Sequence, residues 1–223
     1  MKKLFIIVRF YLFIFITMAS VISCSNNFDN STSTATLSEQ ESVEETDYFI
    51  FPKHKVRFFG DEDFDKFYRN WYGHFLYEMG EKPLGQSNRK NEMSYRFLWL
   101  RTFHPPIIIN INKNRKGTIY LRAKLFDGAG GYEPGKIIRD KKVKLTGEQW
   151  KQISVLFSKT KMCNEKPKQN IGLDGAQWVF ESYVADQYCA AHVHTPGDGV
   201  YKEFGLYLLS ISGLQEQEYQ SVY

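Results

Sequence analysis

The chain has 223 residues, of which 43% are apolar and 16% aromatic, with 29 Lys and Arg against 25 Asp and Glu and three Cys. That share of core-forming side chains excludes disorder over the whole length. The lack of a Gly repeat, a long heptad or a dense Cys framework excludes collagen, a coiled coil and a disulfide miniprotein.

Charge is spread unevenly. Residues 1–23 carry Lys2, Lys3 and Arg9 and no acid, and residues 25–47 carry six acids and no base. Residues 48–223 then hold 26 basic and 19 acidic side chains, a net of +7. An excess of this size fits a solvated surface and also favours contact with anionic surfaces.

After the positive start, Phe10 to Met18 is apolar except for Thr17. A bilayer span takes about 20 residues, so the run has the length of a signal-peptide core. It leads into Val21-Ile22-Ser23-Cys24, which resembles the lipobox of bacterial lipoproteins. The resemblance implies a signal peptide over 1–23, cleavage before Cys24, and a diacylglycerol on the Cys24 thiol. Two alternatives stay open. One is an uncleaved helix, Leu4 to Ser23, in which Arg9 would cost about 2.5–3.5 kcal/mol. The other is a plain secretory signal. Residues 24–47 are expected to form the lipidated Cys and an acidic, Ser/Thr-rich tether, because they offer little to bury. Ser25 stands where an Asp would retain a lipoprotein of enteric bacteria at the inner membrane. That family rule favours an outer-membrane destination and leaves open whether the domain faces the periplasm or the medium.

The folded domain is expected over 48–214. Phe64, Phe67, Tyr68, Trp71, Tyr72, Phe75, Leu76 and Met79 recur at helical spacing, with Asp61 or Asp63 to cap the start and Gly80 to end it. His74 lies on the polar flank and is expected in solvent. Tyr95 to Phe103 is apolar on both parities, as in a strand buried on both faces. His104-Pro105-Pro106 breaks it. Ile107 to Ile111 and Ile119 to Leu125 alternate as antiparallel strands joined by a turn at Asn114 to Gly117.

Asp127 to Gly135 is glycine-rich. A phosphate cradle needs a helix opening directly after the glycines, and Glu133-Pro134-Gly135 follows instead. The glycines are therefore expected to serve turns with positive φ. Val143 and Leu145 suggest another strand. Thr146 and Gln149 form a capping box for a helix with Trp150, Ile153, Leu156 and Phe157 inward. Ala176 to Val184 and Gln187 to His194 make a hairpin closed by Ala185-Asp186. Phe204, Tyr207, Leu208 and Ile211 form a last helical stripe, and 215–223 is a polar tail expected to fray. The fold class is α+β, a single domain with a mainly antiparallel sheet and about three helices.

Candidate chemistry is sparse. Arg101 interrupts an apolar strand face, as Glu181 does between Val179 and Tyr183. Buried charges pair, so Arg101 is expected with Asp174 or Glu181, either as a structural ion pair or as a charged pocket with one acid as base. His192-x-His194 puts two imidazoles on one strand face, but no third ligand is fixed by spacing, and surface histidines are the simpler reading. Cys163 and Cys189 pair in an oxidising compartment or stay as two idle thiols. No nucleophile elbow, zinc-protease or Walker motif occurs. No cofactor, metal or nucleic acid is expected.

The blocks LWLRTF (98–103), DGAGGYEPGK (127–136), GLDGAQWVFE (172–181) and GLYLLSISGL (205–214) resemble an uncharacterised family of bacterial lipoproteins and hypothetical proteins. The resemblance covers most of 64–214 and implies no activity. The expected partner is the membrane, through the N-terminal lipid. The ligand, protein or small molecule, stays open. The expected function is a lipid-anchored cell-envelope protein with a binding or structural role. The alternatives are a hydrolase acting on an envelope substrate through Arg101, Asp174 and Glu181, or an immunity-type inhibitor of an incoming toxin.

Overall fold

The computed structural model describes residues 50–52, 56–84, 93–114, 116–164, 172 and 174–219. The chain divides into two units, 1–44 and 45–223, and every described residue belongs to the second. The expected signal peptide, Cys24 and the tether lie outside the described residues.

The elements run α1 (Glu62–Glu78), β1 (Met93–Arg101), β2 (Ile107–Lys113), β3 (Ile119–Phe126), β4 (Ile137–Lys144), α2 (Gly147–Thr160), β5 (Ala176–Val184), β6 (Gln187–His194) and α3 (Val200–Ser210), with a 3₁₀ turn at Glu216–Glu218. The fold is α+β. One sheet has the order β4-β3-β2-β1-β5-β6, and every neighbouring pair is antiparallel. Among the described residues, no helix is long and apolar enough to cross a membrane.

β1 and β5 are interior strands covered on both faces, which is why β1 is apolar on both parities. The face made by the odd positions of β1 and the even positions of β5 is an aromatic core. Tyr95, Phe97, Trp99, Trp178 and Phe180 pack there with Ile153 and Leu156 of α2 and with Phe204 and Leu208 of α3. Phe180 stacks on both Phe97 and Phe204, at 4.7 and 5.5 Å between centroids. α3 comes so close that a Cβ on Gly205 would stand 2.1 Å from the Trp178 ring. The opposite face carries Leu98, Leu100, Ile108 and Val179, covered by α1 and by Ile50, Phe51, Val56, Phe58 and Phe59.

Local signals set the helix ends. The Asp61 carboxylate accepts from the Asp63 and Phe64 N–H groups. Thr146 and Gln149 cap each other's backbone at 2.9 and 3.2 Å, as the capping box requires. Ala185 and Asp186 both take positive φ, 52° and 63°, which closes the β5–β6 hairpin with the tight turn that suits strand twist.

Two expectations change. Of the glycines in the 127–135 loop, only Gly135 has a positive φ. The rest serve close approach: Gly130 N–H donates to the carbonyls of Arg101 and His104, and a Cβ there would lie 2.5 Å from Arg101 N. The polar tail is also folded through Tyr219. Glu218 pairs with Arg139 at 2.8 Å, and Tyr219 packs against the aromatic core.

Cys163, just after α2, and Cys189 on β6 are joined as a disulfide across 26 residues of sequence. Closing a loop of that length stabilises by about 3.5 kcal/mol in the chain-entropy account. Cys163→Ser combined with Cys189→Ser is expected to lower the unfolding free energy by about that amount in urea melts, and dithiothreitol should do the same to the natural chain. Gly205→Ala is expected to destabilise by about 1–3 kcal/mol through overpacking against Trp178.

Candidate functional site

The β1–β5 register decides where the interrupting charges go. Arg96 stands opposite Glu181, and Arg101 stands opposite Ala176. Side chains alternate between faces, so residues 96 and 101 point to opposite sides. The expected pairing of Arg101 with Glu181 is therefore not made. Glu181 lies on the α1 face and takes Arg96. Arg101 lies on the other face, buried with its guanidinium 4.4 Å from the Trp99 ring centroid, and donates to the Pro105 carbonyl at 2.7 Å. Asp174 is exposed, and its backbone is engaged by the His194 ring. Arg101, Asp174 and Glu181 do not converge on one point.

What surrounds Glu181 is a closed cluster. Arg96 Nε and Nη2 grip the two carboxylate oxygens, the latter at 2.7 Å. The Tyr188 hydroxyl donates to Oε1 at 2.7 Å. Both side chains of the ion pair are at most 1% exposed. Burial works against the Arg96 charge, but the charge and hydrogen bonds of Glu181 outweigh it, and its pKa lies above the ordinary arginine value. Burial, then the neighbouring Glu181 charge, pushes the Tyr188 phenol well above its usual range.

A second cluster adjoins it. Lys124 Nζ donates to Glu81 Oε1 at 2.6 Å and to the Met79 carbonyl at 3.1 Å. Asn110 donates to the other Glu81 oxygen, and Arg96 Nη1 donates to the Lys82 carbonyl. α1 has no basic residue in its last turn. Lys124 supplies the cation that its C-terminal dipole favours, from β3 rather than from the helix itself. Residues 79–82 are thus fastened over the sheet by three side chains.

The third polar group is His192. It is buried, not on the surface as the sequence reading expects. Its ring lies among Phe58, Phe59, Tyr68 and Tyr72, at 5.0–6.2 Å between centroids. Gln177 Oε1 receives the His192 Nε2 proton and, at 3.4 Å, the Tyr72 hydroxyl. The Gln177 amide nitrogen donates to His194 Nδ1 at 3.0 Å. His192 Nδ1 is buried with no hydrogen-bond partner. Burial first, and the neighbouring His194 second, push the His192 pKa down to about 3. The imidazole is neutral and part of the α1-side core. His74, expected in solvent, is only partly exposed and lies 3.1 Å from Glu133 of the glycine-rich loop. Among the described residues, no group of three or more His, Cys, Asp or Glu could hold a metal ion.

Arg96 and its cluster escape a reading of single strands, because only the register shows that it faces Glu181. The available signal was a second charge within an apolar run, YRFLWLR.

Two outcomes follow. Arg96→Ala is expected to destabilise the domain by about 3–5 kcal/mol, since Glu181 would be left buried without a cation. Arg96→Met with Glu181→Leu should recover most of that in denaturant melts. His192 prefers its neutral form when folded, so its contribution is complete above the unfolded value of about 6.5 and falls as pH drops toward 3. Between pH 7 and pH 5 the unfolding free energy should drop by about 2 kcal/mol from this group. His192→Gln, which keeps a donor toward Gln177, should flatten that slope.

No family model matches the chain, and no curated protein matches it. The functional reading therefore rests on the residues themselves.

Proposed function

We propose that this chain is a lipid-anchored protein of the bacterial cell envelope, held at the outer membrane through Cys24, with an α+β domain in a binding or structural role. The observation that carries the reading is the disulfide. Cys163 and Cys189 are joined within the folded domain. Disulfides persist in the periplasm and on cell surfaces and are rare in the cytosol. The bond accounts for two of the three cysteines and leaves Cys24, the position that resembles a lipid-attachment site, as the third. Redox chemistry in the domain and the apolar leader thus favour the same side of the inner membrane.

The closed clusters favour binding over hydrolysis. Arg96 and Tyr188 occupy the carboxylate of Glu181, the acid best placed in sequence to act as a base. Asp174 is exposed to solvent. On α1, Phe64 and Phe67 stand 48% and 62% exposed one turn apart, more aromatic surface than a solvated helix needs.

Metabolic labelling tests the anchor. Radiolabelled palmitate is expected to enter the natural chain in a bacterial host and to be absent from Cys24→Ala, and globomycin should block processing of the natural chain. Label retained by Cys24→Ala would overturn the lipid-anchor reading.

A further inference from the structure

We propose that the β4 edge of the sheet, with the loop that leads into it, docks the domain on an anionic lipid surface. The inference deepens the envelope reading and shares its premise that the domain works beside a membrane.

β4 is an outer strand and is exposed along its length, with only Val143 half-buried. Its sequence, IIRDKKVK, carries Arg139, Lys141, Lys142 and Lys144 against one acid, Asp140. Lys136 precedes it. Alternation puts Lys142 and Lys144 on the same face as Arg122 of β3, while Arg139 and Lys141 lie on the other. The edge is therefore basic on both sides. Asp140 is already engaged by Arg122, and Glu218 by Arg139. Lys141, Lys142 and Lys144 are the surplus.

The register adds a second argument. Arg122 stands directly opposite Lys142, and like charges directly opposed across a ladder are unfavourable. Asp140 offsets Arg122 from the diagonal position, and Lys142 Nζ turns over the Tyr120 ring at 4.6 Å. An anionic layer outside the strand would relieve the remaining repulsion.

Lysines commonly guard an edge strand against pairing. Guarding does not account for the apolar side chains beside them. Ile137 and Ile138 are 49% and 42% exposed. At the same end of the sheet, Tyr132 and Phe103 are also exposed, and the loop holding Tyr132 is fixed to the β1–β2 turn by Gly131 N–H donating to Thr102. A soluble polyanion would use the cations and leave these apolar groups in water. A lipid surface takes both, apolar side chains at the acyl boundary and lysines at the headgroups.

Residue-resolved acetylation tests this on the full chain. The protein is mixed with phosphatidylcholine vesicles, or with vesicles in which roughly one third of the lipid is phosphatidylglycerol, and lysine acetylation is read by mass spectrometry. With the anionic vesicles, Lys136, Lys141, Lys142 and Lys144 are expected to react at least about threefold more slowly than with the neutral ones. Lys151 on α2 should be unchanged. The protection should vanish at 1 M salt, where the screening length is about 3 Å. Lys141→Glu, Lys142→Glu and Lys144→Glu together should remove it at Lys136. Equal rates at β4 in the two vesicle types would overturn the proposal. So would protection by a soluble sulfated polysaccharide with none from vesicles, which would assign the edge to a polyanion. Palmitate labelling is read separately. Loss of label with an intact β4 footprint refutes the anchor alone, and an intact label with no footprint refutes the edge alone.

Discussion

The pairing of β1 with β5 constrains everything else in the domain. These two strands are buried on both faces, so each face needs its own cover. Their register sets Trp99 opposite Trp178 on one side and Arg96 opposite Glu181 on the other. A slip of either strand by one residue would turn its half of the ion pair into the aromatic core and its tryptophan toward α1. Either move buries a charge without its partner, which costs several kcal/mol. The charged pair thus makes the register unequivocal in a way that apolar residues on both parities would not.

The two covers differ in kind. On the α2 and α3 side, flat rings and aliphatic side chains close against each other, and Gly205 lets a helix backbone reach the Trp178 ring. On the α1 side the core is mixed. Leu98, Ile108 and Val179 lie among polar groups that each find an internal partner: Glu181 with Arg96 and Tyr188, Glu81 with Lys124 and Asn110, Gln177 with His192 and Tyr72. Asp65 adds to this by accepting from the Phe59 N–H at 2.7 Å, and Arg69 by donating to the Val56 carbonyl. The short segment before α1 is thereby part of the cover.

One row across the sheet ties the interior to the surface. In register it reads Lys142, Arg122, Asn110, Arg96 and Glu181, from the exposed edge to the buried centre. The same face that must be neutralised beneath α1 runs out into solvent at β4, where Lys142 is exposed. Buried, the cations are consumed by Glu181 and Glu81. At the edge, water replaces those partners and the charge stays available.

Much of the architecture was legible from residue order. The helix of 62–78 and the 176–194 hairpin follow from period and turn chemistry, because each depends on neighbours within a few residues. The capping box at Thr146 and Gln149 is local in the same sense. The burial of Arg101 and Glu181 was also readable, since a charge inside an apolar run has no other place to go. Partner choice was not. Whether Glu181 meets Arg96 or Arg101, whether Cys163 reaches Cys189, and whether His192 points to solvent or into a ring of aromatics all depend on strand order, register and the path of α1. Those are set by contacts between residues far apart in the chain, and periodicity carries no information about them. The sequence alone determined which segments become helix and strand, because period and turn chemistry act over a few neighbouring residues. Only the tertiary structure decided which charges neutralise each other and which remain at the β4 edge, because neutralisation is a matter of distance in space.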